Sequence, residues 1–201
     1  MKTPTDEQLL VEHLAGKPDA FELLVRRYSL ELYRFVLRFT NNSVAADDVL
    51  QEAFIQIYQS AASFDQSRRL RPWMFSIAAN KARDWLRKRA RRGELALDAQ
   101  IDGNDDGDTT FADLLSADAP EDPADLQADE KREFVQTVLD RLPDALREAL
   151  VLAYYHKLPY KEIAEILQIP VGTVKSRLHS AVGKFATAYQ DAVEGQGGPS
   201  L

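Results

Sequence analysis

One segment of the chain is too polar to form a packed core, and it divides the sequence into two parts. From Glu94 to Glu130 there are thirteen Asp and Glu residues and no Lys or Arg. Residues 93–121 are also rich in Gly and poor in aromatic side chains. Such a segment cannot bury enough apolar surface to offset the entropy cost of ordering it. We therefore predict an acidic flexible linker over 93–121, with a small folded domain on each side.

The charge is distributed very unevenly. The net charge is −7 and the segment 94–130 contributes −13, so the remainder of the chain carries +6. Between Arg68 and Arg92 there are ten Lys and Arg residues against a single acid, Asp84. This asymmetry indicates basic modules joined by an acidic connection, so the acidic total does not exclude nucleic-acid binding.

Composition and motifs exclude several classes of function. Because the chain has no cysteine, it forms no disulfide, thiolate metal site or thiol redox centre. The N-terminus lacks the long apolar stretch of a signal peptide, and no run approaches the roughly 20 apolar residues that span a bilayer, so we expect a cytoplasmic protein without direct membrane insertion. His13, His156 and His179 lie far apart in the sequence, and there is no phosphate-binding loop or nucleophile motif. We therefore expect no catalytic residue, no metal and no cofactor, and hence no enzyme.

The periodic segments outside the linker all predict helices, so the predicted fold class is all-α. Thr5 begins a first helix with a capping box, and Pro18 opens a long second helix. Ser43 is predicted to cap a third helix, whose buried side we expect to include Tyr58. With a fourth helix these form an N-terminal helical bundle over 1–92. A C-terminal domain over 122–190 contains further helices, and residues 191–201 are predicted to be a disordered tail.

The C-terminal domain contains a helix-turn-helix pattern over residues 160–179. Val174, Leu178 and Ala181 recur at helical spacing and face the core, which directs the polar side chains of the same helix outward. An exposed N-terminal turn with free backbone amides and basic side chains suits a DNA groove. The alternative is a surface helix with solvated charges. The predicted DNA-contacting residues are Thr173, Lys175, Ser176, Arg177, His179 and Ser180.

The third helix carries a stripe of residues at i, i+3, i+4 and i+7, opposite its apolar side. Its members are Asp48, Gln51, Glu52 and Ile55. Carboxylates beside an amide and an apolar side chain are suited to binding a partner helix that bears arginine. The alternative is a solvated polar face.

The fourth helix and the loop before it form a second candidate DNA surface. The helix has Ser76 and further polar or basic residues on one face, which can follow a phosphate backbone while the amide contacts a base edge. The preceding loop holds an aromatic side chain among polar groups and could capture an unstacked base. The alternative is a cationic surface with the aromatic ring filling the core. The candidate DNA-contacting residues are Ser63, Phe64, Asp65, Asn80, Arg83 and Arg87.

Three segments together resemble the extracytoplasmic-function (ECF) sigma factors of the sigma-70 family, over residues 17–92 and 123–188. These segments are "DDVLQEAFIQIY", "RPWMFSIAANKARDWLRKRARR" and "LPDALREALVLAYYHKLPYKEIAEILQIPVGTVKSRLHSAVGKF". They occur in the family's order, and no domain intervenes between them. The resemblance implies sigma-70 region 2 over 1–92 and region 4 over 122–190.

The resemblance also implies partners and roles. The stripe on the third helix would dock on the β′ clamp helices of core RNA polymerase. The chain would also contact the β subunit of the polymerase. The loop and fourth helix would bind the promoter −10 element, and the helix-turn-helix the −35 element. An anti-sigma factor would be the regulator. Pro159 stands where the family often has a serine that caps the next helix, and it implies only a local change there. Ser76 and Ser180 stand where basic residues are frequent, which leaves open how tightly each domain holds DNA and which promoter is read.

Two other functions are compatible with the residues alone. A stand-alone helix-turn-helix regulator would bind DNA without polymerase, and it would give the stripe on the third helix no purpose. A helical adaptor would bind only protein, and it would not need Lys175 and Arg177.

Overall fold

The computed structural model describes residues 4–91 and 126–196, and within these ranges the secondary structure is helical, without strands. The chain divides into two compact units. The predicted all-α class with two helical domains is therefore confirmed. The predicted linker, 93–121, lies outside the described residues.

The N-terminal unit is a four-helix bundle in which the long second helix packs against the other three. A short 3-10 turn, Ala61–Ser63, and a loop separate the third helix from the fourth. The four helices are α1 (Asp6–Leu14), α2 (Pro18–Thr40), α3 (Ser43–Ser60) and α4 (Leu70–Arg91).

Local side-chain chemistry sets the helix ends, with one correction to the sequence analysis. The predicted capping box of α1 is present, because the Thr5 hydroxyl accepts from the Gln8 amide at 3.2 Å and the Gln8 side chain accepts from the Thr5 amide at 2.9 Å. The predicted cap at Ser43 is wrong. Asn41 ends α2 in the left-handed region (φ 46°), and Asn42 is then extended and accepts from the Ala45 amide at 2.8 Å.

Aromatic and small residues build the core of the bundle. The rings of Phe35 and Phe75 lie 5.3 Å apart between α2 and α4, and Ala46 and Ala53 of α3 are fully buried where the helices approach closely. The expectation that Tyr58 is buried is wrong, since 56% of it is exposed. Its ring packs edge-on against Phe21 at 5.1 Å and lies 4.9 Å from the His13 ring between centroids, at the surface of the bundle.

The C-terminal unit contains four α-helices within the described residues. The second of them continues into a π-helical turn, Val151–Tyr155, and Lys157 then reverses the chain in the left-handed region (φ 50°). The helices are α5 (Leu126–Asp140), α6 (Asp144–Leu150), α7 (Tyr160–Leu167) and α8 (Val171–Gln196).

The core of this unit extends along α8 farther than the sequence analysis predicts. The Tyr189 ring packs edge-on against Phe134 of α5 at 5.2 Å, and Ala192 belongs to the same buried cluster as Val138 and Leu139. Burial of these side chains keeps α8 helical to Gln196, so the predicted disordered tail begins too early. Residues 197–201 lie outside the described residues.

Candidate protein and nucleic-acid interfaces

The first candidate surface is the docking stripe, which consists of Asp48, Gln51, Glu52 and Ile55 on α3. All four side chains are exposed, including half of Ile55. The opposite side of the helix supplies Val49, Ala53 and Ile57 to the core, so the stripe cannot rotate inward without exposing them. The predicted exposure of the stripe is confirmed, and an exposed isoleucine beside carboxylates is suited to a protein partner.

One member of the docking stripe is also linked to α4. The Lys81 ammonium lies 3.4 Å from a Glu52 carboxylate oxygen, and their side chains are 27% and 55% exposed. An ion pair this exposed contributes only about 0–1 kcal/mol to stability. A basic group of a partner can therefore replace Lys81 at little cost to the fold.

The loop after α3 presents polar groups around a buried ring. Phe64 is only 8% exposed, and its ring centroid lies 4.8 Å from that of Trp73 on α4. The Phe64 amide donates to the Ala61 carbonyl at 3.2 Å, and the exposed Ser63 hydroxyl donates to the Ser60 carbonyl at 2.8 Å. Phe64 thus anchors the loop, as in the core-filling alternative of the sequence analysis.

Asp65 shapes the tip of this loop. Its carboxylate accepts from the Ser67 amide at 3.0 Å and from the Ser67 hydroxyl at 2.7 Å, which closes an Asx turn. These two hydrogen bonds lower the pKa of the Asp65 carboxyl. The turn leaves Gln66 exposed beside it. The sequence analysis missed the role of Ser67, although the Asp-x-Ser spacing is the local signal for such a turn.

The basic face of α4 is ordered by hydrogen bonds within the helix. The exposed Asn80 side chain accepts from the Arg83 guanidinium at 2.7 Å, and Arg87 forms an ion pair with Asp84. Ser76 is turned to its own helix, where its hydroxyl donates to the Trp73 carbonyl at 2.7 Å. The face thus offers one oriented amide and two guanidinium groups, which suits a base edge flanked by phosphates.

The third surface is the recognition face at the start of α8. It consists of Thr173, Lys175, Ser176, Arg177, His179 and Ser180. The turn before it bends at Gln168 in the left-handed region (φ 55°), and the Ile169 amide donates to the Ala164 carbonyl of α7 at 3.1 Å. The predicted helix-turn-helix and the burial of Val174 and Leu178 are confirmed.

The recognition face combines side chains with open backbone. Lys175, Ser176, His179 and Ser180 are exposed, whereas Thr173 and Arg177 are half-buried at its edges. A Cβ atom added at Gly172 would meet nothing within 4 Å, so the first turn of α8 is open on that side. Amide groups of a first turn have no partner within their own helix, and here they lie next to basic side chains.

Other kinds of site receive no support in the described part of the chain. Among the side chains that the structure describes, in residues 4–91 and 132–194, no three from His, Asp or Glu lie close enough to hold a metal ion. None of the helices in these ranges is both long and apolar enough to cross a membrane.

Two family models match the chain, one in each unit. Sigma-70 region 2 matches residues 24–92, which include the docking stripe, the loop and α4. Sigma-70 region 4 matches residues 133–185, which include the recognition face.

Curated relatives match most of the chain. The ECF RNA polymerase sigma factor SigW of Bacillus subtilis is 36% identical over 82% of this chain and 86% of its own length. The RNA polymerase sigma-H factor of Pseudomonas aeruginosa is 34% identical over 94% of this chain and 97% of its own length. The ECF RNA polymerase sigma-E factor of Escherichia coli K12 is 33% identical, with 90% and 93% covered.

Solved structures share the fold. CnrH in complex with the cytosolic domain of CnrY has a TM-score of 0.66 at 24% identity and covers 92% of this chain and 97% of that one. The sigma factor RpoE from Bartonella quintana, in complex with the anti-sigma factor NepR, has a TM-score of 0.62 at 22% identity, with 85% and 96% covered.

Proposed function

Since the chain belongs to the ECF sigma factors of the sigma-70 family, we propose that it is a dissociable initiation factor that directs core RNA polymerase to specific promoters. The observation that carries this proposal is the presence of an exposed carboxylate stripe in the region 2 match and an exposed basic helix start in the region 4 match. Polymerase performs the chemistry, so this chain is not an enzyme, and it works in the cytoplasm with the polymerase.

The docking stripe is the proposed contact with core polymerase, on the β′ clamp helices, with further contact to the β subunit. Exposed Asp48 and Glu52 bind basic side chains of the clamp, and the half-exposed Ile55, one turn beyond Glu52, supplies an apolar contact beside them. Among the described contacts, the Glu52–Lys81 pair is the only internal ion pair of the stripe. Docking therefore needs to displace only Lys81 from Glu52.

The loop and α4 are the proposed contact with the −10 element. Asp65 and Gln66 present polar groups at the loop tip, where an unpaired base can be held, and Asn80, Arg83 and Arg87 contact the adjacent strand. Phe64 acts from below the loop by keeping it in place against Trp73.

The recognition face is the proposed contact with the −35 element as duplex DNA. Lys175, Ser176 and His179 reach into the major groove, while the open first turn of α8 binds a phosphate. Two modest contacts on one polymerase gain from a high effective concentration. Free protein should bind DNA weakly, since the thirteen acids between Glu94 and Glu130 repel phosphate.

An anti-sigma factor is the proposed regulator. CnrH was solved in complex with the cytosolic domain of CnrY, and the sigma factor RpoE in complex with the anti-sigma factor NepR. In this chain the docking stripe is exposed, so a protein that covers it would block polymerase binding without unfolding the bundle.

Run-off transcription with purified core polymerase and a promoter pool tests this function. Wild-type protein should co-migrate with core polymerase on a sizing column and initiate at discrete sites. Asp48→Lys with Glu52→Lys should abolish co-migration. The control, Asp19→Lys with Glu22→Lys, makes the same charge change at exposed acids of α2 and should behave as wild type.

A second pair of changes separates DNA recognition from docking. Lys175→Ala with Arg177→Ala should abolish promoter-specific initiation and leave co-migration intact, whereas Lys17→Ala with Arg26→Ala on the N-terminal unit should leave both unchanged. Failure of the wild-type chain to associate with core polymerase, or tight binding of a palindrome without polymerase, would overturn the proposal.

A further inference from the structure

Helix α1 lies before the part of the chain that matches sigma-70 region 2, which begins at residue 24. Its buried residues Leu9 and Leu10 pack into the bundle, and α1 contacts both α4 and the 3-10 turn that precedes the loop. The first turn of α1 contributes two acidic side chains, Asp6 and Glu7, to contacts with other helices.

Glu7 contacts the backbone at the point where α4 begins. Its carboxylate accepts a hydrogen bond from the amide of Leu70 at 3.1 Å, although the two residues are 63 positions apart in the sequence. Leu70 is the first residue of α4, so its amide is one of the donors that a helix cannot satisfy internally. A carboxylate at this end is also favoured by the helix dipole. Glu7 therefore acts as an N-terminal cap supplied by a distant helix.

Asp6 holds the first turn of α1 against α2, and this contact positions the neighbouring Glu7 carboxylate near the start of α4. Its carboxylate accepts from the Tyr28 hydroxyl at 2.5 Å and from the Arg27 guanidinium at 2.7 Å. Tyr28 is buried, and burial together with the Asp6 hydrogen bond raises its pKa. At the neighbouring position Arg71 forms an ion pair with Glu31 of α2. The start of α4 is thus held from two sides.

The cap closes the loop that carries the proposed −10 contacts. This loop runs from Phe64 to residue 69, with one end anchored by the Phe64 ring against Trp73 and the other end at the Leu70 amide. The segment between them contains the Asx turn of Asp65 and Ser67 and is otherwise exposed. A change in the direction of the Leu70 amide would therefore move the loop tip while the docking stripe on α3 stays in place.

We propose that Glu7 is a positioning residue for promoter opening, which holds the base-capture loop in its working shape by capping α4 from helix α1. The inference rests on the proposed function of that loop. It assigns to α1 a task beyond contributing to the core, and it distinguishes Glu7 from Glu12, another acid of the same helix, which forms an exposed ion pair with Lys17.

The test uses full-length chain bound to core polymerase, on a duplex promoter and on the same promoter with its −10 region already unpaired. Glu7→Ala should slow initiation on the duplex by about tenfold, a factor that corresponds to about 1.4 kcal/mol. It should leave initiation on the unpaired template and affinity for core polymerase within about twofold of wild type. Glu7→Gln keeps an oxygen that accepts from the Leu70 amide and should restore most of the rate. Glu12→Ala is the matched control and should behave as wild type.

Each outcome decides the question. Equal losses on both templates, or an equal loss of core affinity, would show a merely structural role and overturn the inference, as would a wild-type rate for Glu7→Ala on the duplex. If Glu7→Ala is too unstable to assay, Glu7→Met still tests the inference, because methionine keeps most of the side-chain volume and lacks the oxygen that accepts from the Leu70 amide. A loss confined to the duplex in Glu7→Met supports positioning, and a wild-type rate on both templates opposes it. Failure of the wild-type chain to initiate at all would instead refute the proposed function.

Discussion

Phe64→Ala tests whether the aromatic ring of the proposed base-capture loop belongs to the core. The ring is 8% exposed and lies 4.8 Å from Trp73 between centroids. Replacing a buried Phe by Ala costs about 3–5 kcal/mol. Because Phe64 lies near the surface, where the loop can partly collapse, we take the lower end. We expect the N-terminal unit to lose about 3 kcal/mol, of which about 1 kcal/mol comes from the aromatic pair.

Urea unfolding followed by tryptophan fluorescence measures this loss within the full chain. The chain has two tryptophans, Trp73 and Trp85, and both lie on α4, so the signal reports on the N-terminal unit alone. With a slope of about 1 kcal/mol per molar urea for a unit of this size, the midpoint should fall by roughly 3 M. Phe64→Leu keeps most of the volume and should lower the midpoint by about 1 M.

Leu30→Ala provides the control, because Leu30 of α2 is 58% exposed and its loss should change the free energy of unfolding by less than about 0.5 kcal/mol. If Phe64→Ala unfolds at the same midpoint as this control while promoter opening is lost, the ring contacts DNA and not the core. That result would refute the reasoning above.

Three further changes test individual contacts. Asn42→Ala should lower the free energy of unfolding of the N-terminal unit by about 1 kcal/mol, and Ser43→Ala by much less, since only Asn42 caps α3; equal effects would contradict the cap assignment. Above pH 10 the free energy of unfolding should fall less steeply in Tyr28→Phe than in the wild type. In the wild type the raised pKa keeps the folded phenol neutral, while the unfolded tyrosine, with its pKa of 10.0, ionises and so favours unfolding. Identical alkaline profiles for the two proteins would contradict this. Glu52→Gln should change stability by less than about 1 kcal/mol, since its pair with Lys81 is exposed, yet weaken core binding in a co-elution assay; a large loss of stability would show that the ion pair is structural.

Interactions within a few residues could be predicted from the sequence. The capping box of Thr5 and Gln8 and the buried series Val174, Leu178 and Ala181 depend only on spacing along one helix, and both are present. The predicted cap of α3 at Ser43 is wrong because Asn42 and Ser43 are both able to cap. The choice between them follows from the left-handed conformation that ends the preceding helix, and spacing alone does not give that conformation.

The candidate surfaces divide in the same way. Exposure of Asp48 and Glu52 follows from the apolar positions on the other side of α3, so periodicity was enough to predict it. The inward position of Phe64 depends on Trp73, and the cap by Glu7 joins residues that are 63 positions apart in the sequence. No periodic pattern links such residues, so these contacts become visible only when the helices are packed together.

The end of α8 shows why composition misleads at the boundary of a domain. Gly195 and the glycines after it favour disorder, and the sequence analysis predicts a disordered tail from residue 191. Tyr189 and Ala192, however, are buried against α5, and tertiary burial outweighs a weak local preference. The consequence reaches the other end of the same helix. Because the recognition face and this buried half share one uninterrupted helix, the packing of Phe185, Tyr189 and Ala192 fixes the direction in which Lys175 and its neighbours point.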